Sequence, residues 1–408
     1  VLTTALTTLF RGGDEVTEES SGATRRGGGD RIEDDTSPVP VDGRTRSARP
    51  SDGATHARPV PANAPGDAVK RPTIADIARQ AGLTKAAVSF ALNGQPGVSE
   101  QTRLRVLDIA RKIGWQPNSA ARALSDGRAG AFGLVVDRPA ATLGVEPFFM
   151  QLISGIQAEL SANHIALLFT IAQDQDEEIA LYRSWWAQRR VDGVFVVDLR
   201  VDDRRIDVLE QMAMPAVVIG HPSVAGSLPA VWHDDALVTR TVMEHLVALG
   251  HHRIGRVSGV PGLRHTQIRT EAFERSAAEL GVTVVDVAGD YTGDSGARAT
   301  EALLRTDPRP TAIVYDNDLM AVSGIGTARR LGVDVPGEVS MVAWEDSPLC
   351  ELVHPALTAL HRDVVTYGMH AANRLLSAAR GTASGDVKDA SHELIRRQSS
   401  GPAPDHSR

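Results

Sequence analysis

The chain has 408 residues, of which 42% are hydrophobic and 23% charged; this is too long for one compact domain and excludes a wholly disordered or fibrous chain. A lone cysteine, Cys350, excludes an intramolecular disulfide framework and any cysteine-built zinc or iron–sulfur centre, so a reducing cytoplasmic setting is expected. The net charge of −8 is uneven: residues 71–128 carry +5 and residues 129–408 carry −11, a small basic module ahead of a large acidic one.

Residues 1–70 have almost no apolar periodicity after Phe10 and carry Gly27-Gly28-Gly29 and scattered Pro, Ser and Asp. They are expected to be a disordered extension, either a flexible arm or a non-native addition. No apolar run approaches the ~20 residues of a membrane helix, and neither export nor membrane association is expected.

From Pro72 the pattern changes. Thr73 with Asp76 reads as a helix N-terminus, and the first helix stops at Gly82. Thr84 caps a second helix over Lys85–Leu92, ended by Asn93-Gly94. Ser99 caps a third over 100–113, with Leu104, Leu107, Ala110 and Ile113 assigned to its apolar face. Three short helices with a tight Ala81-Gly82-Leu83 connection predict a helix-turn-helix domain over 71–117. The second helix of such a unit enters the major groove. Lys85 can then donate to guanine, Ala86 and Phe90 offer apolar contact, and Thr73, Thr84, Ser89 and Asn93 suit phosphates or caps. A plain helical bundle would show the same caps.

Residues 118–128 contain Asn118, Ala120, Ala121, Arg122, Ala123 and Leu124. Eight residues cannot hold a helix alone in water, but against DNA and a partner segment they can. The alanines permit close pairing in a minor groove, with Leu124 as an apolar wedge; an ordinary interdomain linker is the alternative. Over 129–400, short apolar runs (132–136, 165–171, 194–197, 216–219, 254–257, 282–287, 312–314 and 339–343) alternate with helical segments (148–162, 177–189, 204–212, 236–249, 268–280, 296–304 and 319–331). This alternation predicts two doubly wound α/β lobes with a ligand cleft at the carboxyl ends of the strands. Residues 401–408 are expected to be an unstructured tail.

The ordered motifs Pro72-Thr73-Ile74-Ala75-Asp76, Ala81-Gly82-Leu83-Thr84-Lys85-Ala86-Ala87-Val88-Ser89, Gly114-Trp115-Gln116-Pro117-Asn118 through Leu124, Arg190-Val191-Asp192-Gly193, His245 through Ile254, Asn317-Asp318-Leu319-Met320-Ala321 and Pro336-Gly337-Glu338-Val339-Ser340 resemble the lactose-repressor/galactose-repressor family over residues 72–400. The resemblance implies a helix-turn-helix headpiece, a hinge whose Leu124 enters a central step of a palindromic operator, and a periplasmic-binding-protein-like core. It also implies a homodimeric, ligand-responsive regulator, a repressor more readily than an activator, with a small effector, a sugar foremost, between the lobes. Matching positions for the effector are Phe148, Phe149, His265, Gln267, Arg269, Tyr315, Asn317, Asp318, Trp344 and Glu345, with Arg264 nearby. Aromatic faces among carboxylate and amide acceptors are sugar-site chemistry. Glu146, Gln267 and Glu345 depart from residues common in the family, as does Phe90 at the DNA end.

No enzyme, cofactor or metal site is expected. Gly324-Ile325-Gly326 lies inside a helical stretch rather than after a strand. His251, His252 and Arg253 read as a cationic helix end, and His233-Asp234-Asp235 as the cap of the next helix. A pure solute receptor would have no use for the basic headpiece.

Overall fold

The computed structural model describes residues 72–116, 127–383, 385–390 and 392–405. The N-terminal extension and the hinge positions Asn118, Ala121, Arg122 and Leu124 lie outside the described residues.

The headpiece has three helices, α1 (Ile74–Ala81), α2 (Lys85–Leu92) and α3 (Glu100–Lys112). Their starts follow from side-chain chemistry. The Asp76 carboxylate accepts from the Thr73 amide at 2.9 Å and its hydroxyl at 2.7 Å. Thr84 Oγ1 accepts from the Ala87 amide at 3.2 Å, and Ser99 Oγ from the Thr102 amide at 3.3 Å. Gly82 ends α1 with φ +64°, a left-handed conformation that turns the chain into α2. Ile77, Ala81, Val88, Ala91, Val106 and Ala110 form the shared core. Here one expectation is corrected: Leu104 is 59% exposed, and the inner face of α3 runs through Val106, Ile109, Ala110 and Ile113. Positions spaced strictly by three drift about 60° per step around a 3.6-residue turn, so Leu104 and Ile113 lie on opposite sides.

The core holds two six-stranded sheets. The first contains β1 (Ala131–Val136), β2 (Ala166–Ile171), β3 (Val194–Val196), β4 (Ala216–Ile219) and β5 (Ala230–Trp232). The second contains β6 (Arg253–Ser258), β7 (Thr283–Ala288), β8 (Ala312–Tyr315), β9 (Ser340–Ala343) and β10 (Thr358–His361). Two short late strands, β11 (Val387–Lys388) and β12 (Glu393–Ile395), each extend one sheet. The orders are β11-β5-β4-β3-β1-β2 and β12-β10-β9-β8-β6-β7, so the same doubly wound plan occurs twice. Pairings are parallel except β10 with β12. Helices cover the faces, and each lobe keeps its own core: Phe132, Leu134, Leu152 and Phe195 in the first, Ile313, Met320, Met341 and Leu357 in the second.

Strands β5, β10, β11 and β12 and helix Val364–Ala379 are additions to the elements read from sequence. That helix returns from the second sheet to the first lobe, where Val364, Tyr367, Ala371 and Leu375 enter the core. It meets helix Pro147–Ala162 at two glycines: a Cβ on Gly155 would stand 1.9 Å from the Val365 carbonyl oxygen, and one on Gly368 2.4 Å from that of Leu152. Three segments pass between lobes, at His233-Asp234, at Arg362-Asp363 and over 389–392. One rim of the cleft is hydrogen-bonded across: the Arg264 amide donates to Leu199 O at 2.7 Å and the Val201 amide to Gly262 O at 3.0 Å.

Two more readings are corrected. His251 is buried, with Nδ1 2.9 Å from Thr311 Oγ1 and Nε2 3.1 Å from Ser340 Oγ; burial lowers its pKa, so it is a neutral polar link and not a charged helix terminator. The tail is bonded at its start, the Gly401 amide to Ser340 Oγ at 3.0 Å and the Ala403 amide to Leu249 O at 2.8 Å.

Candidate functional site

On the headpiece, Thr84, Lys85, Ala86, Phe90 and Asn93 are exposed along α2 and its cap, with Ser89 half-buried between them. Asn93 Nδ2 donates to Ser89 Oγ at 3.4 Å. Phe90 is 42% exposed, an aromatic ring that the headpiece core leaves out. Thr73 is exposed too, its hydroxyl engaged by Asp76.

The second site is the cavity between the lobes. The first lobe contributes Arg138, Glu146, Phe148, Asp198 and His221; the second contributes Asp235, His265, Arg269, Tyr291, Asp316, Asn317 and Glu345; His233 and Arg362 come from the crossovers. Most of these lie one to three residues beyond the carboxyl end of a strand, where a doubly wound sheet exposes its loops.

Ion pairs organise the walls. Arg138 holds Asp198 through Nε at 2.7 Å and Nη2 at 3.1 Å, and its guanidinium lies 4.5 Å from the Tyr291 ring of the other lobe. Arg269 Nε donates to Asp235 at 2.8 Å. Asp316 is buried beneath Arg256, which reaches it at 3.0 and 2.8 Å. Burial opposes ionisation of Asp198, Asp235 and Asp316, but the adjacent guanidiniums outweigh it and hold all three below the usual carboxylate range.

Glu146 and Glu345 behave oppositely. Burial pushes Glu146 up to about 8, against the pull of Arg138, and pushes Glu345 up to about 7, against the pull of Arg362. The histidines are kept neutral: burial, then Arg269, pushes His265 down to about 4, and burial lowers His233 beside Asp235 and Arg362. His265 Nε2 meets the Tyr291 hydroxyl at 2.7 Å.

Of the residues expected from sequence, Phe148, His265, Arg269, Asn317 and Glu345 line the cavity. Five do not. Phe149 turns into the first lobe's core, edge-on to Phe148 at 5.3 Å. Tyr315 is the last residue of β8 and points into the second core, its hydroxyl 2.8 Å from Thr300 Oγ1. Trp344 is fully buried behind Arg269, whose guanidinium lies 4.1 Å from its ring. Asp318 is buried at the start of helix Asp318–Arg330. Gln267 precedes Arg269 by two positions and therefore sits about 200° around the helix from it; its Oε1 is buried without a hydrogen-bond partner. Arg264 lies at the rim, Nε donating to Ser223 Oγ at 3.0 Å. The sequence reading missed Arg138, Asp198, His221, Tyr291, Asp316, Arg362 and Tyr367 as lining residues; their signal was position just past a strand end. Among the described residues no acidic, histidine or cysteine cluster fits a metal ion, and no helix is long and apolar enough to cross a membrane.

A helix-turn-helix unit followed by two doubly wound lobes around a charged cleft defines a DNA-binding regulator with a periplasmic-binding-protein-like core. Comparison with known proteins agrees. Residues 73–118 match the model of bacterial regulatory proteins of the lacI family, and residues 243–400 match a periplasmic binding protein-like domain. Catabolite control protein A of Priestia megaterium is 30% identical over 336 residues, covering 80% of this chain and 98% of that protein. Among solved structures, a LacI family transcriptional regulator from Bifidobacterium animalis subsp. lactis is 36% identical with a TM-score of 0.64, covering 68% of this chain and 99% of its own. A complex of the transcriptional regulator CelR with cellobiose is 26% identical with a TM-score of 0.61, covering 81% and 100%. The chain belongs to the lacI family of bacterial regulatory proteins. Its relatives are transcriptional regulators, not enzymes.

Proposed function

We propose that the chain acts as a homodimer on a palindromic operator and that a small effector of the sugar class, bound between the lobes, shifts its DNA affinity, with repression as the default output. The observation that carries this reading is the exposed polar and aromatic face of α2 ahead of a closed, charged interlobe cavity. A relative of the same fold binds cellobiose, which supports a sugar here. A ligand that favours one lobe arrangement changes DNA binding only if the two arrangements differ in operator affinity, and a 10-fold difference requires about 1.4 kcal/mol.

The test is fluorescence anisotropy of the full chain on a selected palindromic duplex and on its scrambled counterpart, with and without sugars. Preference for the palindrome and a sugar-dependent change of at least about 10-fold are expected; equal affinity for both duplexes defeats the reading. In the same assay Lys85→Ala should alter preference at one position of each half-site. Ser89→Ala should weaken all sequences alike.

A further inference from the structure

The cations around the cavity are already committed. Arg138 is taken by Asp198 in two hydrogen bonds, Arg269 by Asp235, and Arg256, behind the wall, by Asp316. Arg362 Nη1 lies 2.9 Å from His233 Nδ1, with Nη2 3.6 Å from Glu345. No guanidinium here is left without a carboxylate to receive an anion.

The carboxyl groups are not all committed. Glu146 is 5% exposed, and its Oε2 has no hydrogen-bond partner; the nearest cation, Arg138 Nη1, stands 3.9 Å away and is bonded to Asp198. Glu345 has only the Arg362 contact at 3.6 Å. These two groups come from opposite lobes, Glu146 just before helix Pro147–Ala162 and Glu345 just after β9. A buried acceptor without a donor is costly, and an O–H group satisfies it without adding charge.

We propose that the effector is an uncharged, hydroxyl-rich molecule, a free sugar and not a phosphorylated or acidic one, whose hydroxyls donate to Glu146 of one lobe and Glu345 of the other. This rests on the effector reading above and names the chemistry of the same site. The upward shifts of both carboxyls agree with it: a group that holds its proton near neutral pH needs no cationic ligand. A phosphate ester would place a second, uncompensated negative charge among five acidic side chains, Glu146, Asp198, Asp235, Asp316 and Glu345, with every arginine already occupied. Like-charge burial of this kind is strongly disfavoured.

Calorimetric titration of the full chain with glucose, fructose, mannose, maltose and cellobiose, and with the 6-phosphates of the three monosaccharides and glucosamine, tests the proposal. At least one neutral sugar is expected to bind, and every phosphate ester at least about 100-fold more weakly than the tightest neutral sugar. Tighter binding of a phosphate ester, tighter binding of glucosamine than of glucose, or no binding by any neutral sugar would overturn it. Glu146→Gln removes the surplus charge while keeping an acceptor, so the gap between a sugar and its phosphate should narrow about tenfold; an unchanged gap in the folded variant removes Glu146 from the proposal. Anisotropy on the palindromic duplex in the same samples separates the two readings. A neutral sugar that binds without altering DNA affinity leaves this inference standing and defeats the effector role. Operator release by a phosphate ester alone does the reverse.

Discussion

Glu146 and His265 face the same cavity and titrate in opposite directions, for one cause acting on two kinds of group. Burial disfavours charge, so it raises the acid and lowers the base. The linkage to stability has a definite sign. A carboxyl pushed up to about 8 keeps its proton in the folded chain where the unfolded chain has lost it, so Glu146 lowers stability as pH rises from the ordinary glutamate range through 8. A histidine pushed down to about 4 binds its proton only in the unfolded chain, so His265 lowers stability as pH falls from 6.5 toward 4. Urea unfolding of the ligand-free protein from pH 5 to 9 should therefore show a maximum near the middle of the range. Glu146→Gln should flatten the alkaline side; an unaltered alkaline slope would show that Glu146 ionises normally. At this scale the sequence pointed correctly to Glu146 as unusual. It could not say that Tyr315 and Trp344 face the core, because residues adjacent at a strand end point to opposite sides.

Among the elements, α1 to α3 were the most legible. Thr73, Thr84 and Ser99 sit where the first amides of each helix need acceptors, and Gly82 sits where a left-handed residue is required. The inner face of α3 was misplaced by following a spacing of three past Leu104. Strands β1 to β4 and β6 to β9 announced themselves as apolar runs, since a parallel strand covered on both faces needs apolar residues at every position. Strands of two to four residues such as β11, β12 and β10 carry too short a pattern for this signal. The close crossing of helices Pro147–Ala162 and Val364–Ala379 gives a test. Gly155→Ala would press a methyl group onto the Val365 carbonyl, so a loss of about 3 kcal/mol in unfolding free energy is expected. Gly326→Ala, where an added Cβ meets nothing within 4 Å, is the control and should not destabilise. Equal behaviour of the two variants in urea would show that the helices can part at no cost.

Across the whole molecule, charge is divided by task. The basic stretch over 71–128 sits ahead of an acidic core that repels the phosphate backbone. Binding to DNA should accordingly be steeply salt-dependent: for a dimer neutralising six or more phosphates, affinity for a palindrome falls by about 10³ or more between 50 and 200 mM salt. A flat response in the anisotropy assay would contradict an electrostatic grip by the headpiece.

Caps, apolar runs and charge balance are written in local order, so the sequence by itself determined the three headpiece helices, the repeated β–α alternation, the two-lobed plan and the resemblance to the family. The cavity was decided by tertiary structure. Its walls are assembled from residues more than 200 positions apart, such as Arg138 and Arg362, brought together by crossovers between lobes. Which carboxylate meets which guanidinium depends on how two separately packed sheets close on each other, and that closure lies in three dimensions, beyond any spacing along the chain.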